Sequence, residues 1–292
     1  MKMKYAFSLR ITRLAFCLIL LSALTTPAQD KPKLKAEEIL TKHIESIGSA
    51  EAIEAAANRK IEGTAQVWNV RVSRSLIGGG AFLASTRDKH VLLMAFEGNN
   101  TDDYRGERIN FDGKKLIIPF VTAAERSPTG KFIFEYPEIS KGYIFGGALF
   151  SSWALLDASN KFGKFEVQGK EKIDGVETYK MKFVPKGGTS LTIRMYFDAT
   201  NFRHVRTEYT RTETAGTVRV DEGRLNENRY KLIEDFSDFG EVNGLTLPKT
   251  YKVTFRFETV QRSGEFEWLI KLTRFGFDPK TPPEIFVEGK TP

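Results

Sequence analysis

The chain has 292 residues, of which 41% are hydrophobic, and it carries 44 Lys and Arg against 37 Asp and Glu. This apolar content with a modest net charge excludes a disordered chain. The single cysteine excludes a disulfide scaffold and a cysteine-rich zinc module. With 23 Phe and 9 Tyr, the fold has a wide aromatic surface to bury.

The first 28 residues are typical of an export signal. Four basic residues and no acidic residue lie in residues 1–13, and an apolar run of 11 residues follows at 14–24. The run is too short for a bilayer, which takes roughly 20 residues, and small residues resembling a cleavage site follow it. The sequence predicts a periplasmic protein, cleaved after Ala28, with an uncleaved membrane anchor as the alternative.

Cleavage at this point changes the arguments from cysteine and from charge. Cys17 lies inside the apolar run and follows the bulky Phe16, so we expect no lipid attachment. Removing the four basic residues of the signal leaves 40 basic residues against 37 acidic ones. No basic stripe remains that would indicate nucleic-acid binding, and no other segment predicts a transmembrane helix.

The mature chain begins with a helix and continues mostly as strands. Residues 36–47 have apolar side chains at helical spacing, and Gly48 is a typical helix end. A short Ala-rich helical patch follows at 49–57. Residues 251–259 alternate strictly between apolar and polar side chains, which predicts a strand with its odd-numbered residues facing inward. Ten or eleven such strands with short turns predict a single antiparallel sheet that curls or closes, in one domain over 29–292.

Two strands, at 91–96 and 116–121, are apolar on both faces and need a cover on each side. The helix at 36–47 can provide one cover. The candidate for the other is residues 142–156, an uncharged segment that we predict to be helical. It is either a core helix or a mobile lid over an apolar cavity, and Gly146-Gly147 would ease rearrangement of a lid.

Motifs for catalysis or metal binding are missing from the sequence. His43, His90 and His204 do not form a metal-ligand spacing, and there is no nucleophile elbow or phosphate-binding loop. Adjacent carboxylates such as Glu234-Asp235 are typical of a solvated surface. We therefore expect a binding protein without metal or cofactor, and not an enzyme.

Several short motifs support a family resemblance through their order along the chain. They are Ile47-Gly48 and residues 61–64 (IEGT), 111–116 (FDGKKL), 196–198 (YFD), 205–209 (VRTEY), 236–239 (FSDF), 242–248 (VNGLTLP) and 283–286 (PEIF). On an exported, strand-rich chain this order resembles the outer-membrane lipoprotein-sorting, LolA-like superfamily of periplasmic carriers. The resemblance extends over nearly all of residues 36–290.

The resemblance implies a mainly β fold with some α: an unclosed, strongly curved antiparallel β-barrel of about 10–11 strands, with an N-terminal helix and a helical lid. It implies a periplasmic carrier or sensor that binds lipoprotein acyl chains or another lipid. The implied partners are the lipid or acylated lipoprotein and membrane-associated donor and acceptor proteins. The residues expected to line or cover the lipid site are Tyr143, Ile144, Phe145, Leu149, Phe150, Trp153 and Leu156.

One further residue role follows from the resemblance. Carriers of this superfamily often have Lys-Arg-Pro near the end of an early strand, where the Arg fastens the lid. Here Thr86-Arg87-Asp88 occupies a similar place, so the resemblance implies that Arg87 is the lid latch. Two alternatives to a carrier stay open: a protein-interaction module on the same fold, and a hydrolase of unfamiliar type.

Overall fold

The computed structural model describes residues 34–69, 73–96, 104, 106–119, 126–142, 144–156, 162–214, 227–277 and 281–287. The predicted export signal, Cys17 and Tyr143 lie outside the described residues. Within these ranges, every helix is too short or too polar to cross a membrane.

The N-terminal helix forms where the apolar spacing predicts it. Helix α1 spans Ala36–Ile47, and a shorter helix α2 spans Ala50–Ala55. Two glutamates in the first turn of α1 suit the positive end of the helix dipole, and Ser49 caps α2 by accepting a hydrogen bond from the Ala52 amide. The side chains of α1 that are buried are Ile39, Leu40, His43 and Ile47.

Within the described part of the chain, twelve strands form one antiparallel sheet, one strand more than the upper end of the predicted count. The strands are β1 (Arg59–Asn69), β2 (Ser73–Ser85), β3 (His90–Phe96), β4 (Gly106–Phe111), β5 (Leu116–Ile117), β6 (Gly163–Ile173), β7 (Val176–Pro185), β8 (Thr192–Asp198), β9 (His204–Thr214), β10 (Glu227–Val242), β11 (Leu245–Glu258) and β12 (Ser263–Gly276). Two short helices, α3 (Pro128–Glu135) and α4 (Glu138–Lys141), lie between β5 and β6.

The sheet is open, because its end strands β5 and β6 do not pair with each other among the described strands. Its order is β5-β4-β3-β2-β1-β12-β11-β10-β9-β8-β7-β6. Residues 144–156 touch both β2 and β10, through Ser151 and Gly146. Those strands are four positions apart, or about 19 Å along a flat sheet, so the sheet curves around this segment. The predicted unclosed antiparallel fold is confirmed.

Strand β11 follows the predicted alternation except at Thr254, which lies on the opposite face from Tyr251 and is also buried. Tyr251, Val253 and Phe255 are at most 3% exposed, whereas Arg256 points to solvent. We call the face that carries Tyr251 the inner face and the opposite face the outer face. Helix α3 also lies on the inner face, where the Phe132 ring is 5.1 Å from that of Phe255.

The second cover of strand β3 differs from the prediction. Helix α1 and residues 144–156 both pack on the inner face, where His43 and Trp153 contact each other. The outer face of β2 and β3 is covered instead by a 3₁₀ turn, Pro283–Phe286, whose Ile285 and Phe286 pack against Ala84 and Val91. Because residues from the chain's end and its first third meet here, local sequence patterns gave no indication of this cover.

Candidate functional site

The candidate site is the inner face of the sheet together with the segment that fills it. We call residues 144–156 the inner segment. It is not the single helix predicted for 142–156: it contains two 3₁₀ turns, Gly147–Leu149 and Ala154–Leu156, joined by irregular chain. Every residue from 144 to 150 and from 152 to 155 is buried.

Two adjacent glycines explain why the helix does not form. Gly146 and Gly147 have φ angles of 77° and 54°, in the left-handed region that other residues avoid. A Cβ on Gly146 would lie 2.3 Å from the Phe150 ring, and one on Gly147 would lie 2.9 Å from the Phe236 ring. Glycine is therefore required at both positions, because the backbone bends there and the neighbouring rings leave no space for a side chain.

The structure places most of the predicted site residues together in the interior. Ile144, Phe145, Leu149, Phe150 and Trp153 are at most 2% exposed. Leu156 is half-buried, at the end of the segment. In this arrangement the inner segment fills the space that the sheet encloses, and does not lie over an open cavity.

A small cavity remains beside the inner segment. It holds about 10 Å³, which is about the volume needed for one water molecule. Its walls come from α1, the inner segment and strands β9 to β11, with His43, Ala148, His204, Phe236 and Phe239 among them. An acyl chain does not fit into this volume, so it could enter the interior only if the inner segment moved.

A buried carboxylate on β10 holds the first turn of the inner segment. Glu234 is fully buried and accepts hydrogen bonds from the Gly146 amide at 2.7 Å, from the Tyr209 hydroxyl at 2.6 Å and from the Tyr251 hydroxyl at 2.5 Å. Burial raises the pKa of Glu234 to about 7, against the lowering effect of these three donors. Burial and the three donors thus act on the ionisation of Glu234 in opposite directions.

A buried arginine holds the next part of the inner segment. Arg59, at the start of β1, is fully buried and donates hydrogen bonds to the carbonyl oxygens of Ala56, at 2.9 Å, and Ala148. Its Nη2 atom has no hydrogen-bond partner among the described residues. Burial lowers the pKa of Arg59 to about 10, so the guanidinium stays charged at neutral pH.

Serine and histidine side chains hold the middle of the inner segment. The Ser85 hydroxyl of β2 accepts the Ser151 amide at 2.8 Å and lies 3.0 Å from the Ser151 hydroxyl. His90 of β3 lies 3.3 Å from the Ser152 hydroxyl and stacks on Phe150 with ring centroids 5.0 Å apart. Burial lowers the pKa of His90 to about 3, so the ring is neutral at neutral pH.

An aromatic cluster holds the end of the inner segment. Trp153 lies between two histidines, with ring centroids 5.1 Å from His43 and 5.0 Å from His204. Burial lowers the pKa of His43 to about 4 and lowers that of His204 well below its ordinary value. The described residues contain no group of three or more His, Cys, Asp or Glu side chains placed to hold a metal ion.

Arg87 lies on the surface, two residues after the anchor Ser85. It follows β2 in the turn before β3 and forms an ion pair with Glu54 of α2, and both side chains are about two-thirds exposed, at 63% and 66%. Arg59, by contrast, donates a hydrogen bond to the inner segment. Nothing in this geometry tests the latch role implied for Arg87, which stays a prediction.

Sequence reasoning missed Glu234 and treated Glu234-Asp235 as a surface pair. The two carboxylates face opposite sides of β10: Glu234 points inward, and Asp235 points outward toward Arg206 and Lys252. A signal was present, because Glu234 falls between Leu232 and Phe236 on the apolar, inward-facing register of the strand. A carboxylate in that register is a buried carboxylate.

Comparison with known proteins gives matches only at the level of structure. No family model matches the chain, and no curated protein sequence matches it. Among solved structures, the chain is similar to a LolA superfamily protein from Nitrosomonas europaea, with 14% identity, a TM-score of 0.46, and 87% of this chain and 98% of the other covered.

Two further solved structures are similar over comparable lengths. A DUF1329 family protein from Desulfovibrio piger has 14% identity and a TM-score of 0.46, with 86% of this chain and 96% of the other covered. A structure described as an outer membrane lipoprotein-sorting protein domain, from Vibrio parahaemolyticus, has 11% identity and a TM-score of 0.41, with 85% of this chain and 97% of the other covered. The proteins that the sequence motifs resemble are thus among the structures to which this chain is similar. At these identities the likeness concerns the fold alone.

Proposed function

We propose that this protein is an exported carrier or sensor that binds the acyl chains of a lipid or lipoprotein on the inner face of its sheet. The ligand takes the place of the inner segment, which moves out. The observation that supports this proposal is that an uncharged, irregular piece of the chain fills the interior of an open sheet. The bound lipid would thus occupy a volume that the protein fills with its own residues when empty.

The inner face has the chemistry that an acyl chain requires. Its strands carry apolar side chains that are fully or almost fully buried, such as Met181, Ile193, Leu232 and Val253. Each methylene transferred out of water contributes about 0.8 kcal/mol, so a chain of roughly 15 methylenes gains more than about 10 kcal/mol. The buried apolar side chains of the inner segment contribute about 1.5–3 kcal/mol each, so the acyl chain would replace contacts of comparable size.

The inner segment is attached in a way that permits displacement. It is not a strand of the sheet, and its anchors to the sheet are single hydrogen bonds from or to Arg59, Ser85 and Glu234. Such bonds contribute about 1 kcal/mol each, or about 1.5–3 kcal/mol where one partner is charged. Its removal would leave the hydrogen-bonded ladder of the sheet intact.

The proposal includes where the protein acts and what it does not do. The predicted signal directs it to the periplasm, where donor and acceptor proteins at the membranes would deliver and receive the lipid. We propose binding and not catalysis, which is supported by the burial of His43, His90 and His204 in aromatic contacts away from solvent. N-terminal sequencing of the mature protein should begin at Gln29; a retained apolar run would contradict the cleaved, unanchored form.

A disulfide that fixes the inner segment tests the proposal. The Ser85 and Ser151 hydroxyl oxygens are 3.0 Å apart, so cysteines at both positions are close enough to bond after a small adjustment. We expect Ser85→Cys/Ser151→Cys, in a Cys17→Ser background, to bind an uncharged fluorescent probe such as N-phenyl-1-naphthylamine when reduced. Oxidation should abolish this binding, and renewed reduction should restore it.

The two single-cysteine variants are the matched controls, because they carry the same changes without the bond. Equal probe binding by the oxidised and reduced double variant would overturn the proposal that the ligand occupies the interior. Native mass spectrometry of the protein purified from the periplasm should in addition show a retained lipid. A protein partner retained without lipid would instead favour the interaction module.

A further inference from the structure

Resting on the proposed function, we infer that Glu234 is the polar contact of the bound ligand and that this ligand carries an N–H or O–H donor beside its acyl chain. The expected class is an acyl amide or an acyl compound with a free hydroxyl. A free fatty acid, whose head group is an anion, does not belong to it.

The inference follows from what Glu234 loses when the inner segment leaves. Its Oε1 atom accepts the Gly146 amide and the Tyr251 hydroxyl, and its Oε2 atom accepts the Tyr209 hydroxyl. Both tyrosines belong to strands and stay in place, whereas Gly146 moves with the segment. A buried carboxylate left with one donor fewer is costly, so the ligand that replaces the segment is favoured if it supplies that donor.

The surroundings of Glu234 select the charge of the ligand as well. Among the described residues, the hydrogen-bond donors to Glu234 are the neutral hydroxyls of Tyr209 and Tyr251 and the backbone amide of Gly146. An anionic head group beside this carboxylate would be repelled by its negative charge. It would also receive no hydrogen bond, because the carboxylate oxygens only accept. The other anchor, Arg59, has its Nη2 atom unpartnered among the described residues and can donate to the carbonyl oxygen of an acyl group.

A pair of matched ligands tests this chemistry in the wild-type protein. Dodecanamide and methyl dodecanoate share the acyl chain and the carbonyl, but only the amide has N–H donors. We expect the amide to displace N-phenyl-1-naphthylamine at a concentration about tenfold lower than the ester does. A hydrogen bond to a charged group contributes enough free energy for a difference of this size. Hydrophobicity alone predicts the reverse order, and the cost of moving the inner segment cancels in the ratio because it is the same for both ligands.

Variants at neighbouring positions show whether Glu234 is responsible. Glu234→Gln should reduce the preference for the amide to less than about threefold, since the neutral amide side chain is a weaker acceptor. Asp235→Asn makes the same change at the next residue, on the outer face, and should keep the full preference. If Glu234→Gln does not fold, Tyr251→Phe serves instead: it frees one acceptor site on Oε1, so the preference should rise.

The outcomes separate this inference from the proposed function. If neither the probe nor either ligand binds, the proposed function fails. If both ligands bind with equal affinity, or if Glu234→Gln or Tyr251→Phe leaves the preference unchanged, the assignment of Glu234 is wrong while lipid binding stands. A preference that is retained in Asp235→Asn and lost in Glu234→Gln supports the inference.

Discussion

The inner and outer faces of the sheet give the same kind of side chain opposite surroundings. Glu234 and Asp235 are neighbours on β10, yet Glu234 faces three neutral donors and Asp235 faces Arg206 and Lys252. The outer face around Asp235 continues as paired charges, such as Lys231 with Glu208. The inner face around Glu234 is apolar and closed by the inner segment.

This difference shows how the protein separates solubility from binding. Paired charges on the outer face are stable because water and counter-charges are both available. On the inner face a charge is costly, and the carboxylate responds by a raised pKa and by hydrogen bonds from neutral groups. A ligand in the interior therefore meets an apolar wall with very few polar contacts, and these contacts decide which head group is accepted.

Reversing the polarity of the inner face should give the largest effect. Phe255 is 3% exposed on the inner face and packs on Phe132, so Phe255→Asp should lower the free energy of unfolding by more than about 4 kcal/mol. Arg256→Ala, on the outer face, removes one ion pair with Glu265 and should cost less than about 1 kcal/mol. Chemical denaturation measures both, and equal losses would contradict the assignment of the two faces.

The two covers of the sheet should respond differently to the same substitution. Phe286 in the outer cover and Phe150 in the inner segment are both at most 2% exposed. Phe286→Ala should cost about 3–4 kcal/mol, as is usual for a buried Phe. Phe150→Ala should cost less, because the loss is limited by the free energy needed to release the inner segment from an otherwise intact sheet.

Probe binding supplies the second measurement for this pair. Since Phe150 holds the inner segment in the space of the ligand, Phe150→Ala should increase the apparent affinity for N-phenyl-1-naphthylamine. Phe286→Ala should leave that affinity unchanged, because the outer cover does not touch the interior. A full loss of stability in Phe150→Ala with unaltered affinity would make the inner segment an ordinary part of the core.

The pH dependence of stability isolates Glu234 on the inner face. Its pKa is raised from an ordinary 4.5 to about 7, so the folded state holds the proton more tightly than the unfolded chain. The resulting stability is fully present below about pH 4.5 and is lost as the pH rises through about 7. As the pH rises between those limits, the unfolding free energy of Glu234→Gln should increase relative to that of the wild type by about 3 kcal/mol.

The comparison of variant with wild type is necessary because other buried groups titrate in the same range. Burial lowers the pKa values of His43 and His90, so their contribution has the opposite sign and is lost as the pH falls below 6.5. Glu107, whose pKa burial raises to about 7, acts in the same direction as Glu234. These effects cancel when wild type and Glu234→Gln are compared at each pH, and a constant difference would show that folding does not raise the pKa of Glu234.

The parts of the fold that sequence predicted are those governed by local periodicity. Helix α1 follows from apolar spacing, and β11 follows from alternation with one wet face. The turns Asp174-Gly175 and Asn243-Gly244 have residue pairs typical of two-residue hairpins, and these residues have the positive φ angles that such turns need. An open antiparallel sheet with short connections is the architecture that these local signals define together.

The candidate site was predictable only as a stretch of apolar residues. Its shape depends on Gly146 and Gly147 taking left-handed conformations, which a helical pattern conceals. Two of its anchors, Arg59 and Ser85, are paired on the neighbouring strands β1 and β2, whereas Glu234 on β10 is far along the chain from both. The register of β10 indicates that Glu234 is buried, but local patterns do not show which distant segment it contacts.

The smallest effect is expected at Arg87, which can be compared with Arg59, the buried arginine that contacts the inner segment. Arg87 and Glu54 are both about two-thirds exposed, and exposed ion pairs contribute about 0.2–1 kcal/mol. Arg87→Ala should therefore leave the melting temperature and the affinity for N-phenyl-1-naphthylamine nearly unchanged. Arg59→Lys keeps the charge but loses the forked donors that reach Ala56 and Ala148, so it should loosen the inner segment and raise the apparent affinity. A raised affinity in Arg87→Ala, with none in Arg59→Lys, would instead support the latch role that the family resemblance implies for Arg87.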